Sequence, residues 1–316
     1  MKKKILGLLI AVLSYYSCVA TPTLIQGIYY NLNTSDKTAT VTYKTLYNES
    51  YYPMEMDYTK FIIIPSKVKH DNIEYTVTAI GDSAFYRNWE ITNISIPGSV
   101  TSIGKYAFYG CSVIERIILP NNITEIKEGA FSGCNFLEEI HLPKNLNRIE
   151  NKTFEGCYKL ENITLPQELT TIGDSAFLGC YALKKITIPK NVTKIGKFAF
   201  FQCRELKQVI NESALKIKAK EENNGYVAYN TIGVEDRDGG KFKETDDYLF
   251  FSNNTDTWLV TYYGNEPYIE LPLDHEEESY NIAPSAFRNN SNLIRIKLSP
   301  KTKQIGEYAF AACKFL

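Results

Sequence analysis

Tryptophan, methionine and histidine are scarce in this chain of 316 residues: 2 Trp, 3 Met and 3 His. So few imidazoles leave little material for a histidine metal site or a His-activated nucleophile. No H-E-x-x-H, G-x-S-x-G or phosphate-cradling glycine loop is present either. An excess of one charge is also lacking. The chain carries 35 basic and 36 acidic residues for a net charge of −1, so it has no electrostatic footprint for nucleic acid or an anionic membrane. No C-x-x-C pair occurs. Nor, beyond residue 20, does any apolar run of the roughly 18 residues a transmembrane helix needs. No catalytic residue, metal ligand or cofactor is therefore expected. Tyrosine is plentiful at 23 residues, and 44% hydrophobic with 22% charged residues is the composition of an ordered fold.

Residues 1–20 place Lys2, Lys3 and Lys4 before an apolar run from Ile5 to Leu13, and small residues follow. This is the plan of a secretory signal peptide, with cleavage expected after Ala20. A lipoprotein signal would instead make Cys18 the lipidation point. Tyr15 and Tyr16 stand where such signals usually carry an aliphatic–small pair, so plain export is preferred. Membrane attachment is expected only through lipid at Cys18.

The repeat is the strongest signal. Ala-Phe occurs at Phe85, Phe108, Phe131, Phe177 and Phe200 in steps or double steps of 23 residues, with Thr153-Phe154 filling the gap. It returns at Phe287 and Phe310. Five residues before every phenylalanine stands an isoleucine, from Ile80 to Ile305. Downstream come Ile91 or its equivalent, then pairs such as Ile94/Ile96 and Ile186/Ile188, then proline. The I-x-I alternation closed by proline predicts a short strand with its isoleucines inward. Val100/Ile103 and Val192/Ile195 mark the return leg. One such unit cannot bury its own apolar side, so the units are predicted to stack as a solenoid of short parallel strands and loops.

The unit IGDSAFLGCYALKKITIPKNVT, Ile172 to Thr193, resembles the BspA-type leucine-rich repeat. The resemblance covers about 73–211 and 282–316. It implies a curved solenoid on a secreted or surface protein that binds other macromolecules. The family motif contains no catalytic residue.

Cys111, Cys134, Cys157, Cys180, Cys203 and Cys313 each lie three residues after a repeat phenylalanine and form one column. The expected role is core packing as free thiols, since Asn88 and Asn290 fill the same column without a partner. Disulfides between neighbouring coils are geometrically allowed in an exported protein. His70, His141 and His275 are read as surface residues, and the acid runs near Asp246 and Glu276 as solvated faces. The segment from Asp236 to Gly240 reads as a tight turn, because Lys241 replaces the glycine a calcium loop needs.

Five segments are expected. They are a signal peptide (1–20), an N-terminal β cap (21–72), a repeat block (73–211), an irregular tyrosine-rich insertion of longer coils (212–281) and a resumed block (282–316). The last stops at Leu316, an inward leucine without its strand, and is read as a fragment. Two candidate binding regions emerge. One comprises Tyr226, Tyr229, Tyr262 and Tyr263 of the insertion, since tyrosine offers contact area and a hydroxyl at low entropic cost. The other is the outward strand face, with Asn93, Arg116, Glu139, His141, Asn162 and Lys185, whose mixed charge suits a protein partner. The reading is a non-enzymatic interaction or adhesion module of a bacterial cell surface, binding a protein or glycoprotein of host surface or matrix. A glycan-binding accessory protein and a structural spacer for a missing C-terminal domain are the alternatives.

Overall fold

A computed structural model describes residues 22–43, 60–237, 239–245, 247–271 and 279–316. The predicted leader with Cys18, and the acid run around His275, lie outside these residues. The chain winds as a β-solenoid of about nine turns with coils of about 23 residues. Its helical content among the described residues is one 3-10 turn, Asn224–Tyr226.

Each coil contributes to two ladders. The first contains Phe61–Ile63, Asn93–Ser95, Arg116–Ile118, Glu139–His141 and Asn162–Ile163, followed by Lys185–Ile188 and Gln208–Asn211. The hydrogen-bonded pairs among these strands are parallel and in register, as in Ile117↔Ile140↔Ile163. The second ladder is the return leg, with Ile80↔Ile103↔Ile126 and Ile149↔Ile172↔Ile195. Proline closes the first strand and also opens the next turn. The carbonyls of Pro97, Pro120, Pro143, Pro166 and Pro189 each accept an N–H from three residues on, at 3.0–3.2 Å.

Between the ladders the repeat columns become stacks. The phenylalanine rings from Phe85 to Phe200 lie 5.0–5.7 Å apart, nearly parallel. The spacing follows from the strand separation of about 4.8 Å, which sets the rise of each coil. The alanine column beside them is fully buried. Thr153 fits there because its hydroxyl donates to the Glu150 carbonyl at 2.8 Å. The glycine after the return-leg isoleucine is dictated by close approach. A Cβ on Gly196 would stand 2.5 Å from the Asp174 nitrogen of the coil before.

The five cysteines from Cys111 to Cys203 are free and buried, and each thiol donates to the phenylalanine carbonyl of the preceding coil at 3.1–3.2 Å. Where asparagine takes the column, its side chain organises the turn instead. Asn290 accepts from the Asn292 and Leu293 N–H groups and donates to the Gly264 carbonyl.

At the N-terminal end Thr23–Ile25, Ile28–Asn33 and Thr38–Thr42 form an antiparallel meander. Its last strand joins the return ladder in parallel with Ile73–Ile80. Beyond Phe200 the coils lengthen but remain stacked. Asn211 stands inward, yet it is a turn organiser: it accepts from Ser213 and donates to the Leu215 carbonyl. The buried aliphatic is Ile217, one residue before Lys218, which pairs with Glu221. Lys241–Glu244, Tyr248–Ser252 and Thr257–Tyr262 then form an antiparallel meander, and Thr257–Tyr262 pairs in parallel with Tyr280–Ile282. The buried core divides at this place. One cluster runs from Ile28 to Val234, and others begin at Leu249 and Phe250.

Candidate functional site

The first ladder aims alternate side chains outward, because successive residues of a strand point to opposite faces. Asn93, Arg116, Glu139, Asn162 and Lys185 are exposed and occupy one column, with Arg116↔Glu139↔Asn162 in register. His141 stands in the adjacent outward column opposite Ile118. The Glu139 carboxylate gathers this group: Arg116 Nη1 lies 3.8 Å from one oxygen and His141 Nε2 3.6 Å from the other. A shallow hollow of about 620 Å³ opens beside them, bounded by Glu139, His141, Asn162, Thr164 and Glu168. Glu139, His141 and Asn162 of this lining are candidates from the sequence. The structure thus unites Glu139, His141 and Asn162 around one hollow, with Arg116 attached through its ion pair. Asn93 and Lys185 lie one coil outside this group on either side.

The same face is apolar at its N-terminal end. Phe61, Ile63 and Ile118 are 67%, 75% and 76% exposed. Phe61 and Ile63 escaped sequence reasoning because their coil lacks the Ala-Phe marker, and only pairing with Asn93–Ser95 places them.

The four candidate tyrosines form two separate pairs. Tyr226 and Tyr229 meet edge to face at 5.4 Å, and Tyr226 also lies on Phe198 and Phe201. Burial, then Glu222, pushes the Tyr226 phenol up. Tyr262 and Tyr263 stand at the end of the second meander. Tyr262 is buried, and its ring packs against Phe287 at 5.4 Å as the phenylalanine column's member in that coil. Tyr263, just past the strand, is only 42% exposed, and the partial burial of its ring, then Glu244, pushes its phenol up to about 12.

An aromatic strip went unnoticed in the sequence. It runs along the turns that follow the phenylalanine column, where Tyr158 and Tyr181 stack at 4.9 Å and Arg204 lies 5.1 Å over the Tyr181 ring. With Phe198 and Phe201 they wall a groove of about 430 Å³ floored by Gly156 and Gly179. Aromatic residues recurring every 23 positions (158, 181) are the signal that could have found it.

Among the described residues no group of His, Cys, Asp and Glu is placed to hold a metal ion, and no helix is long and apolar enough to cross a membrane. A stack of laddered coils that presents one polar strand face defines a leucine-rich-repeat solenoid, an architecture that generally mediates protein–protein binding. The chain belongs to the BspA type leucine rich repeat family, which matches six copies over residues 78–207 and 268–316, more than half of its length. No curated protein matches the chain. Among solved structures it is similar to a leucine rich cell surface protein of Faecalibacterium prausnitzii, at 25% identity and a TM-score of 0.47 over 93% of this chain and 74% of that one. It is also similar to the pneumococcal vaccine antigen PcpA, at 25% identity and a TM-score of 0.49 over 94% and 69%. A leucine-rich repeat protein of Bacteroides capillosus is 29% identical with a TM-score of 0.35, over 49% and 98%.

Proposed function

We propose that this chain is an exported adhesion module of a bacterial cell surface that holds a protein or glycoprotein of host surface or matrix on its strand face. The observation that carries the reading is the in-register outward ladder around Glu139, His141 and Asn162, with its hollow and its apolar end. Mixed charge continuous with exposed Phe61, Ile63 and Ile118 at one end gives the face both polar and apolar contact area, as protein interfaces have. The lysine-led leader supports export. The repeat motif supplies core and turn residues, so the chain is read as non-catalytic and cofactor-free.

The test is binding of the full chain to immobilised matrix and surface glycoproteins. Saturable binding is expected to persist after enzymatic removal of their glycans. It should fall about tenfold or more in a Glu139→Ala, His141→Ala, Asn162→Ala triple variant that keeps its circular dichroism, as when interface anchors are truncated. Binding that ignores this triple variant would sink the strand-face reading.

A further inference from the structure

Along the edge of the strand face, where each coil enters its strand, the charges follow a pattern that host binding does not use. Glu138, Glu161, Lys184 and Lys207 stand one repeat apart, each directly before the first residue of its strand. Backbone bonds hold them in one column. The Glu161 N–H donates to the Glu138 carbonyl at 3.4 Å, the Lys184 N–H to Glu161 at 3.1 Å and the Lys207 N–H to Lys184 at 3.1 Å. Down four successive coils the column therefore reads acid, acid, base, base, in steps of about 4.8 Å. At its midpoint Glu161 and Lys184 pair at 2.8 Å, each about half exposed. Among the described residues no ion pair holds the outer two, Glu138 and Lys207. Lys207 is half-buried. Burial, opposed by Glu205 and helped by Arg288, holds its ammonium below the ordinary lysine value.

We propose that two copies of this chain pair through this edge of the strand face, with their solenoid axes antiparallel. The inference goes beyond the host-binding reading and needs no host ligand. A column that reverses sign at its midpoint is complementary to itself when turned end for end. A two-fold axis across the stack, at the Glu161–Lys184 pair, sets Glu138 against the second copy's Lys207 and Glu161 against the second copy's Lys184. Each contact then occurs twice, as in any isologous interface. The two central pairs close a cluster of four charges in which every facing pair is opposite in sign, and the outer carboxylate and the half-buried ammonium gain the counter-ions they lack. A two-fold axis along the stack would instead set each coil against its own copy, acid on acid and base on base. A partner of one charge sign would satisfy half of the column and be repelled by the other half. A second copy meets all four positions. Exposed ion pairs are individually weak and screened by salt, so the pairing is reversible and salt-sensitive.

The experiment is sedimentation velocity of the full chain over a concentration series. A reversible dimer is expected at about 50 mM NaCl, weakening about tenfold or more at about 500 mM as the charges are screened. Glu161→Lys and Lys184→Glu each change an exposed residue and place like charges at the centre of the pairing. Each variant alone should dimerise about tenfold more weakly or worse while keeping its circular dichroism. An equimolar mixture of the two should dimerise as the wild type does, because every facing pair is then again opposite in sign. The chain carrying both substitutions should recover as well, since its column still reverses onto itself at the centre. A wild type that stays monomeric at low salt, single variants that dimerise like the wild type, or a mixture that stays monomeric would each overturn the proposal. Host binding through Glu139, His141 and Asn162 is assayed separately, so either reading can fail alone.

Discussion

A cysteine in the core column differs from an ordinary small hydrophobe by one weak donor, and each described thiol in the column uses it on a phenylalanine carbonyl. Burial pushes the Cys134 and Cys203 thiols up to about 12 and the other three fully buried ones well above their ordinary value. The thiolate is the reactive form, so these five should resist iodoacetamide in the native protein at pH 8 and react after denaturation. Cys313, only partly buried, should be alkylated ahead of them, as peptide mass mapping would show. The linkage has a definite sign. Unfolded thiols ionise near pH 9 while the folded ones stay protonated, so above that pH the native state binds more protons. The melting temperature should therefore fall as pH rises from about 9 towards 12, and the fall should shrink in a Cys134→Ala, Cys203→Ala variant relative to its own value at pH 7. Glycine conformation gives a second test at this scale. Gly179 sits at φ +74°, so Gly179→Ala should cost about 1 kcal/mol in urea unfolding. Ser175, a non-glycine at φ +54°, should tolerate glycine with a small gain.

A coil is the element of this fold, and its stability is mostly what it shares with its neighbours. Phe154 is fully buried between Phe131 and Phe177, so Phe154→Ala should cost about 3–5 kcal/mol. The cavity would open two ring stacks at once. Tyr262 makes the same point in the longer coils. It lies on Phe287 and Tyr248, and its hydroxyl accepts from the Glu266 N–H at 3.3 Å. Tyr262→Ser should thus destabilise by about 3 kcal/mol or more, whereas Tyr229→Ser on an exposed ring should change stability by less than about 1 kcal/mol. Thermal melts of the two variants separate a packing tyrosine from a surface one.

Over the whole molecule, nearest-neighbour stacking makes stability local. The core is divided, with one cluster ending at Val234 and the others beginning at Leu249 and Phe250. Native-state hydrogen exchange should register this division. Phe154→Ala is expected to lower protection over 78–207 while leaving 248–271 and 279–316 near wild type, and Tyr262→Ser to do the reverse. Uniform loss of protection in either variant would show one cooperative unit instead.

The sequence alone determined the solenoid, its period, its inward columns and its outward strand residues, because a strict repeat exposes every requirement of the coil several times over. Isoleucine, alanine, phenylalanine and cysteine recur at fixed offsets, and their burial follows from that recurrence. What only the tertiary structure decided lies where the period fails or where neighbouring coils meet. Tyr262 is a core residue because its coil is longer, so its match to the phenylalanine column is invisible by counting. Ile217 is buried although a strict 23-residue count from Ile195 lands on Lys218, again because the register shifts in the longer coils. The hollow at Glu139 and His141 and the aromatic groove at Tyr158 and Phe198 each combine side chains from different coils. Such neighbourhoods are set by how one coil is rotated and laddered on the next, and spacing along a single chain does not record that.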